Sequence, residues 1–383
     1  MRPAPTLAMA VLYFATGYLV WLLPGALSLP IAADLGLSAS QIGLLVALPL
    51  LGGSLVRVPL GILVDRFGAR RTALACQALT LVPLVWIWLG ARTFGTLAGA
   101  GLLLGIAGGS FAVALPLASR WYPAERQGWV LGLVGSANAA SGLGALVAPW
   151  IASRWGWPAG FGMAAAVSAA ALLSFILVAR EAPGRPTPKP LSSYLRVLRR
   201  GDLGCASLLY GFTFGGFVGI SSFLPVVLHD QHGFGQGAAG VVVGSLARAV
   251  GGALADRLGG GRVLGKVLVS ASIGLATIPI CPEGGPAAVL MVLVLTLLGA
   301  GNGALFHFVP RLFGKDLGVA TGMIGAAGGL GGFLLPPILG ALREATGGYG
   351  TGLLLLSVAG LLASAPLRRV ASRPQPALEA TRP

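Results

Sequence analysis

Apolar runs of about twenty residues recur from one end of the chain to the other, parted by short polar or basic connections. Each is long enough to cross a hydrocarbon core of about 30 Å as an α-helix. The runs cover residues 6–29, 40–63, 72–91, 95–119, 127–151, 158–179, 203–228, 237–255, 263–281, 286–308, 317–340 and 350–366. The pattern predicts an all-α membrane protein with twelve transmembrane helices. The first run is followed by eleven more and lacks a small-residue cleavage site, so it is expected to stay as a helix. Composition agrees: 55 % of the 383 residues are hydrophobic and 10 % charged, against about one quarter charged in soluble domains. Mean hydropathy is +0.85. Apart from the central one, the connections run to about fifteen residues at most, which leaves no room for a soluble catalytic domain. HExxH, paired-Cys and phosphate-binding Gly-Lys motifs are missing, which argues against an enzyme and against a metal or other cofactor. Cys76, Cys205 and Cys281 stand singly in three predicted spans and read as packing residues.

The net charge of +15 would suggest nucleic acid in a soluble protein, so the placement of the basic residues decides its meaning. Of the 26 Lys and Arg, 21 fall in the N-terminus, the even-to-odd connections and the C-terminus, and only Arg92, Arg154 and Arg343 in the opposite loops. The positive-inside rule then puts both termini in the cytoplasm of a multi-pass protein of the cell (inner) membrane. The excess charge is topological, its partner is the lipid bilayer, and no nucleic acid is implied.

The chain is internally duplicated. GSLVRVPLGILVDRFGARR from Gly53 and GSLARAVGGALADRLGGGR from Gly244, 191 residues apart, agree at ten of nineteen positions. GIAGGSFAVALP from Gly105 and GAGNGALFHFVP from Gly299 support the same repeat, both running from glycine to proline over twelve residues. The expected organisation is a six-helix half at 1–182, a cytoplasmic linker at 183–202, a second six-helix half at 203–370 and a disordered tail at 371–383, with a site between the halves. GILVDRFGARR at Gly61 resembles the loop signature of the major facilitator superfamily, and GALADRLGGGR at Gly252 its second-half echo. Asp65 and Asp256, beside Arg66 and Arg257 at helix ends, are candidates for charge pairs that latch the cytoplasmic face.

Two arginines stand apart from every loop. Arg57 lies in the second span, eight residues before Asp65, near the bilayer midplane, and Arg248 is its repeat mate. A guanidinium at that depth cannot shed its charge and needs an interior partner. All eleven acids fall in loops, tails or helix ends. At an effective dielectric of about 20 and a separation of about 8 Å, the two cations repel by about 2 kcal/mol, which a bridging anion removes. A pair of cations without counter-charge is a receptor for an anion. Gly128, Gly132, Gly135 and Gly142 line one face of the fifth span, and Gly318, Gly322, Gly325, Gly329 and Gly332 one face of the eleventh. Small residues at this spacing pack helices tightly, and they suit an ion of a few atoms better than a large organic solute. Asn138 offers an amide to orient it.

GGSFAVALPLASRWYP near Gly108, GLVGSANAASG at Gly132, SLLYGFTFGGF at Ser207, GAGNGALFHFVP at Gly299 and GMIGAAGGLGGFLLPP at Gly322 resemble the nitrate/nitrite porters over nearly the whole chain. That resemblance implies that Arg57 and Arg248 clamp a planar oxyanion, that Tyr210 hydrogen-bonds it, that Phe111 and Phe214 cover its faces, and that Asn138 lies nearby. The chain departs from the family in a short stretch between Gly235 and Arg248 and in Ala137 and Ala139, where glycine is commoner. Exchange of nitrate for nitrite by alternating access, by a chain functional as a monomer, is the leading expectation. It follows from the lack of an acid in the spans, because proton coupling employs a buried carboxylate or histidine. Proton-coupled nitrate uptake is the alternative, with His307 the titratable candidate within the bundle, while His229 and His232 flank an outer loop. A major facilitator carrier of another small anion is a further alternative, and a receptor that binds without translocating is the rival from another class.

Overall fold

A computed structural model of the chain describes residues 3–122, 130–131, 133–183, 197–222, 238–281, 285–306, 309–313, 317–365 and 367. The expected linker and tail fall largely or wholly outside these. The helices are α1 (Ala4–Ala26), α2 (Ser28–Leu35), α3 (Ala39–Phe67), α4 (Ala69–Leu89), α5 (Phe94–Gly108), α6 (Ser110–Ser119), α7 (Ala140–Trp155), α8 (Trp157–Val178) and α9 (Gly201–Tyr210). There follow α10 (Ala238–Leu258), α11 (Gly260–Thr277), α12 (Gly285–Phe306), α13 (Val309–Phe313), α14 (Leu317–Thr346) and α15 (Gly350–Ser364). Among the described residues, nine helical stretches are long and apolar enough to cross a bilayer. With α7, α10 and the shorter α15 they make the twelve-helix, two-halved bundle.

Local chemistry sets the boundaries. Ser38 caps α3 and Thr93 caps α5, each in a reciprocal box with the residue three positions on, Gln41 and Thr96. The Glu181 carboxylate accepts from the first amides of α4, Ala69 N at 3.1 Å and Arg70 N at 2.8 Å, where the helix dipole favours negative charge. Several details depart from the periodicity. The first apolar run ends earlier than expected, and α2 follows it as a separate short helix. The fifth span is interrupted by a 3-10 turn at Ala137–Ala139 and the seventh by a π turn at Gly211–Gly215. Cys281 sits just past the 3-10 turn Ile278–Ile280 and outside the helix expected to hold it.

The duplication persists at the level of individual atoms. Gly68 and Gly259, 191 residues apart, both adopt the left-handed region at φ 89° and 87°, where a β-carbon would be strained. Each donates back to the fourth residue before it, Val64 O and Ala255 O, at 3.0 Å. A Cβ on Gly105 would collide with the Gly52–Gly53 backbone, and a Cβ on Gly299 with the carbonyl of Gly244, the repeat mate of Gly53. The pairs α3 with α5 and α10 with α12 are thus two copies of one glycine-mediated contact.

The halves meet along α3 and α14, and they close on each other at the end of the bundle away from the repeated Asp-Arg turns. There a Cβ on Gly43 would strike Pro336 O, one on Gly340 would strike Ala39 O, and one on Gly25 would strike Ser222 O. Ser40 adds a polar tie, its N–H donating to Glu344 Oε1 at 2.8 Å and its hydroxyl to Oε2. Gly105→Val should lower the thermal unfolding temperature in detergent, at a cost of about 1–3 kcal/mol for overpacking a contact that cannot relax. Gly90→Ala, where a Cβ finds no atom nearer than 3.9 Å, should leave it nearly unchanged.

Candidate anion site

Arg57 arises from the middle of α3 and is 1 % exposed. Its guanidinium is held by main-chain oxygens and aromatic faces. Nε and Nη2 both donate to Gly108 O at 3.3 Å, and Nη1 donates to Gly325 O on α14 in the other half. The guanidinium carbon lies 5.1 Å from the Trp21 ring, 5.4 Å from Phe214 and 6.0 Å from Phe111, within the range of cation–π attraction. The Gly108 carbonyl is available because the fourth span breaks there: α5 ends, α6 starts at Ser110, and the Ala112 amide turns to Gly109 O at 3.0 Å. The carbonyl acceptors are an addition to the sequence reading, which found no partner for Arg57 because it weighed carboxylates.

Arg248 comes from the middle of α10 and is half-buried. Its guanidinium carbon lies 5.6 Å from Phe111 and 5.3 Å from Phe306. Phe111 is therefore common to both cations, and the two guanidinium groups converge on one space between the halves. The ion pairs among the described residues, Arg120 with Asp65 and Arg200 with Asp202, involve neither arginine. Both positive charges stay without a carboxylate among the described residues.

Tyr210 and Phe214 form the wall facing Arg57. The π turn between them brings residues four apart nearly into register, and their rings stack with centroids 4.8 Å apart and planes 5° from parallel; such turns recur at functional sites. Phe306 closes the wall edge-on, 5.3 Å from Tyr210 and 6.4 Å from Phe111. Tyr18, buried on α1, packs edge-on against Trp21 with ring centroids 5.2 Å apart. Asn138 sits in the 3-10 turn of the fifth span, 3 % exposed, with its Oδ1 unpartnered.

The glycine faces divide into packing and lining positions. A Cβ on Gly328 would come 2.5 Å from the Tyr210 ring and 2.9 Å from Phe214, and one on Gly325 would lie 3.7 Å from Arg57. Gly135 is buried, yet a Cβ there would meet nothing within 4 Å, so this face of the fifth span borders open space inside the bundle. Gly128 and Gly132 lie outside the described residues, and so does the candidate proton carrier His307, with His229 and His232. At the basic end of the bundle Asp65 is paired with Arg120, at the end of the fourth span, at 2.9 Å. Asp256 and Arg257 occupy the equivalent turn at the end of α10.

Sequence reading missed Trp21, Tyr18 and Phe306. Trp21 is fixed by its indole N–H donating to Pro49 O at 2.7 Å, which turns its face to Arg57. The available signal for Phe306 was its place four residues after Asn302 in the repeat; an aromatic cluster in a membrane helix carries no other mark.

The comparisons with known proteins agree with this architecture. Residues 9–312 match the Major Facilitator Superfamily. The nitrite extrusion protein of Bacillus subtilis is 34 % identical over 357 residues, 92 % of this chain and 90 % of that one. A probable nitrate/nitrite transporter of Mycobacterium tuberculosis is 34 % identical over 374 residues, 94 % of each chain. A probable nitrate/nitrite antiporter of Thermus thermophilus is 30 % identical over 88 % of this chain and 85 % of its own. Among solved structures, the xylose transporter XylE from E. coli superposes with a TM-score of 0.77 over 98 % of both chains at 15 % identity, a likeness of fold. The chain belongs to the Major Facilitator Superfamily and, within it, to the nitrate/nitrite porters.

Proposed function

We propose that this chain moves nitrate and nitrite across the cell membrane by alternating access, exchanging one for the other. The observation that carries the reading is the pair of guanidinium groups, one from each repeat, converging on Phe111 with no carboxylate among the described residues beside them. The relatives named for nitrate and nitrite transport, an antiporter among them, support the choice of anion. A planar trigonal oxyanion suits the two forks, each of which presents N–H groups in one plane. Phe111 and Phe214 cover its faces, Tyr210 donates to an oxygen, and the Asn138 amide turns toward it. Aromatic walls exclude water, and in the drier site each charge-assisted hydrogen bond is stronger.

The positive-inside rule makes the basic end cytoplasmic, with both termini there, so the glycine-and-backbone closure at the other end seals the outer face. In that orientation the structure is closed to the outside. The Asp65 and Asp256 turns, with Arg66 and Arg257, form the cytoplasmic gate that closes when the halves, 1–182 and 203–370, rock the other way. An empty site leaves two cations facing each other, which opposes closure around nothing; an occupied one is neutralised and can occlude. That coupling produces exchange in a chain working as a monomer.

Arg57→Lys and Arg248→Lys should each weaken nitrate binding by about 100-fold or more in titration calorimetry of the purified protein, because a lysine replaces a planar fork with a point charge. Equal affinity in either variant overturns the clamp. Proteoliposomes loaded with nitrite should take up labelled nitrate far faster than anion-free ones, and His307→Gln should keep that exchange. Uptake driven by a pH gradient into anion-free vesicles, and lost in His307→Gln, would establish proton symport in its place.

A further inference from the structure

Arg57 and Arg248 hold the same place in the two repeats and are anchored differently. In the first half the span breaks after Gly108, and the freed Gly108 carbonyl accepts two N–H groups of Arg57 at 3.3 Å. The repeat that aligns Gly105 with Gly299 sets Asn302 at the position of Gly108. The main chain cannot play the same part there. α12 runs unbroken through Phe306, so the Asn302 carbonyl stays in the i to i−4 ladder.

The position carries an amide in its place. Asn302 is 2 % exposed and its Oδ1 has no hydrogen-bond partner. An orphan acceptor buried in a membrane bundle costs stability and calls for an explanation. Its surroundings supply one. A Cβ on the next residue, Gly303, would run into the carbonyl of Arg248, so α12 and α10 touch at this level. Phe306, one turn further along the same face of α12, lies 5.3 Å under the Arg248 guanidinium. Arg248 donates no hydrogen bond among the described residues and rests on two aromatic rings. A buried acceptor without a donor and a guanidinium without an acceptor thus sit on adjoining turns of two packed helices.

We propose that Asn302 is a positioning residue for Arg248: its Oδ1 accepts one guanidinium N–H when the site closes, as the Gly108 carbonyl does for Arg57, and turns the remaining N–H groups toward the anion. The first half holds its arginine with fixed backbone, the second with a side chain that can let go. Asn302 touches Arg248 and never the anion, and the inference rests on the anion site proposed above.

The test compares wild type with Asn302→Leu, which keeps the branched shape and deletes the acceptor, and Asn302→Asp, which is isosteric and adds a charge. Nitrate binding is measured by calorimetry on monodisperse purified protein, and nitrate/nitrite counterflow in proteoliposomes. Asn302→Leu should weaken nitrate binding about tenfold or more and raise the KM for counterflow with little change in the maximal rate. Asn302→Asp should lose nitrate binding at pH 7, where its carboxylate pairs with Arg248, and regain it as the pH falls and the carboxyl becomes a neutral acceptor. A role confined to packing produces no such pH recovery. Wild-type affinity in either variant at pH 7, or an Asn302→Asp loss that acid leaves unchanged, overturns the assignment; should the Leu variant not fold, the Asp variant decides alone. A wild-type protein that binds no nitrate overturns the anion site itself, whereas wild-type binding with indifferent Asn302 variants overturns only this step.

Discussion

A permanent charge in the middle of a membrane bundle has to be solvated by something other than water, and the choice of solvent decides what the protein can be. A carboxylate would settle Arg57 most directly and would also cancel the charge. This chain uses carbonyl dipoles and aromatic faces in its place: Gly108 O, Gly325 O and the rings of Trp21, Phe111 and Phe214. These groups carry partial negative charge and no net charge. They make the guanidinium tolerable at depth while leaving its full unit of charge to act on whatever enters. The half-buried Arg248 is held more loosely, by two rings. Two cations that are tolerated without being neutralised are the physical basis of the anion site proposed above.

That arrangement explains the glycine. The chain has 61 glycines, and the ones around the site are places where a β-carbon would push a wall aside. Gly328 lets α14 lie against the stacked rings of Tyr210 and Phe214, Gly331 lets it meet the Gly211 carbonyl, and Gly329 admits Ser54 from the opposite half. With α14 this close, Gly325 can present its carbonyl to Arg57. A side chain at Gly328 or Gly331 would move the helix off by more than a hydrogen bond can span. Small residues here serve packing, as they do throughout membrane bundles, and through packing they determine where the charge is held.

Much of this was legible in the sequence, and the reason is that each legible feature leaves a mark on residue type. Twenty-residue apolar runs, basic residues concentrated in alternate loops, an arginine in each repeat and the repeat itself follow from lipid thickness, membrane orientation and gene duplication. The convergence of Arg57 and Arg248 followed from the duplication. The carbonyl ligands were not legible because every residue has a carbonyl, and only a break such as that at Gly109 turns one outward. The π turn after Tyr210 was invisible for a like reason: GFTFG has no composition that separates it from ordinary helix. Trp21 and Tyr18 come from α1, far along the chain from either arginine, and only tertiary packing joins them. The pairing of Asp65 with Arg120 was not legible for the same reason, because only the packing of spans two and four side by side brings these two residues together.

The two ends of the bundle are built differently, and the difference bears on how the halves move. Away from the Asp-Arg turns the seal is mostly backbone against backbone at Gly25, Gly43 and Gly340, with Ser40 and Glu344 as a polar tie. Such contacts are short-ranged and indifferent to charge, so they come apart cleanly once a hinge moves by the width of a methyl group. The Asp65 and Asp256 turns at the other end are ionic, and their attraction reaches further across a gap. Between the two ends, the hydrogen bond from Arg57 to Gly325 O crosses from one half to the other at the level of the site. Rocking that separates α3 from α14 must break it, and an anion oxygen is the replacement acceptor best placed to take the released N–H. In the exchange proposed above, the group that holds the cargo is therefore also a fastener between the halves, which ties the energy of binding to the energy of opening without any further part.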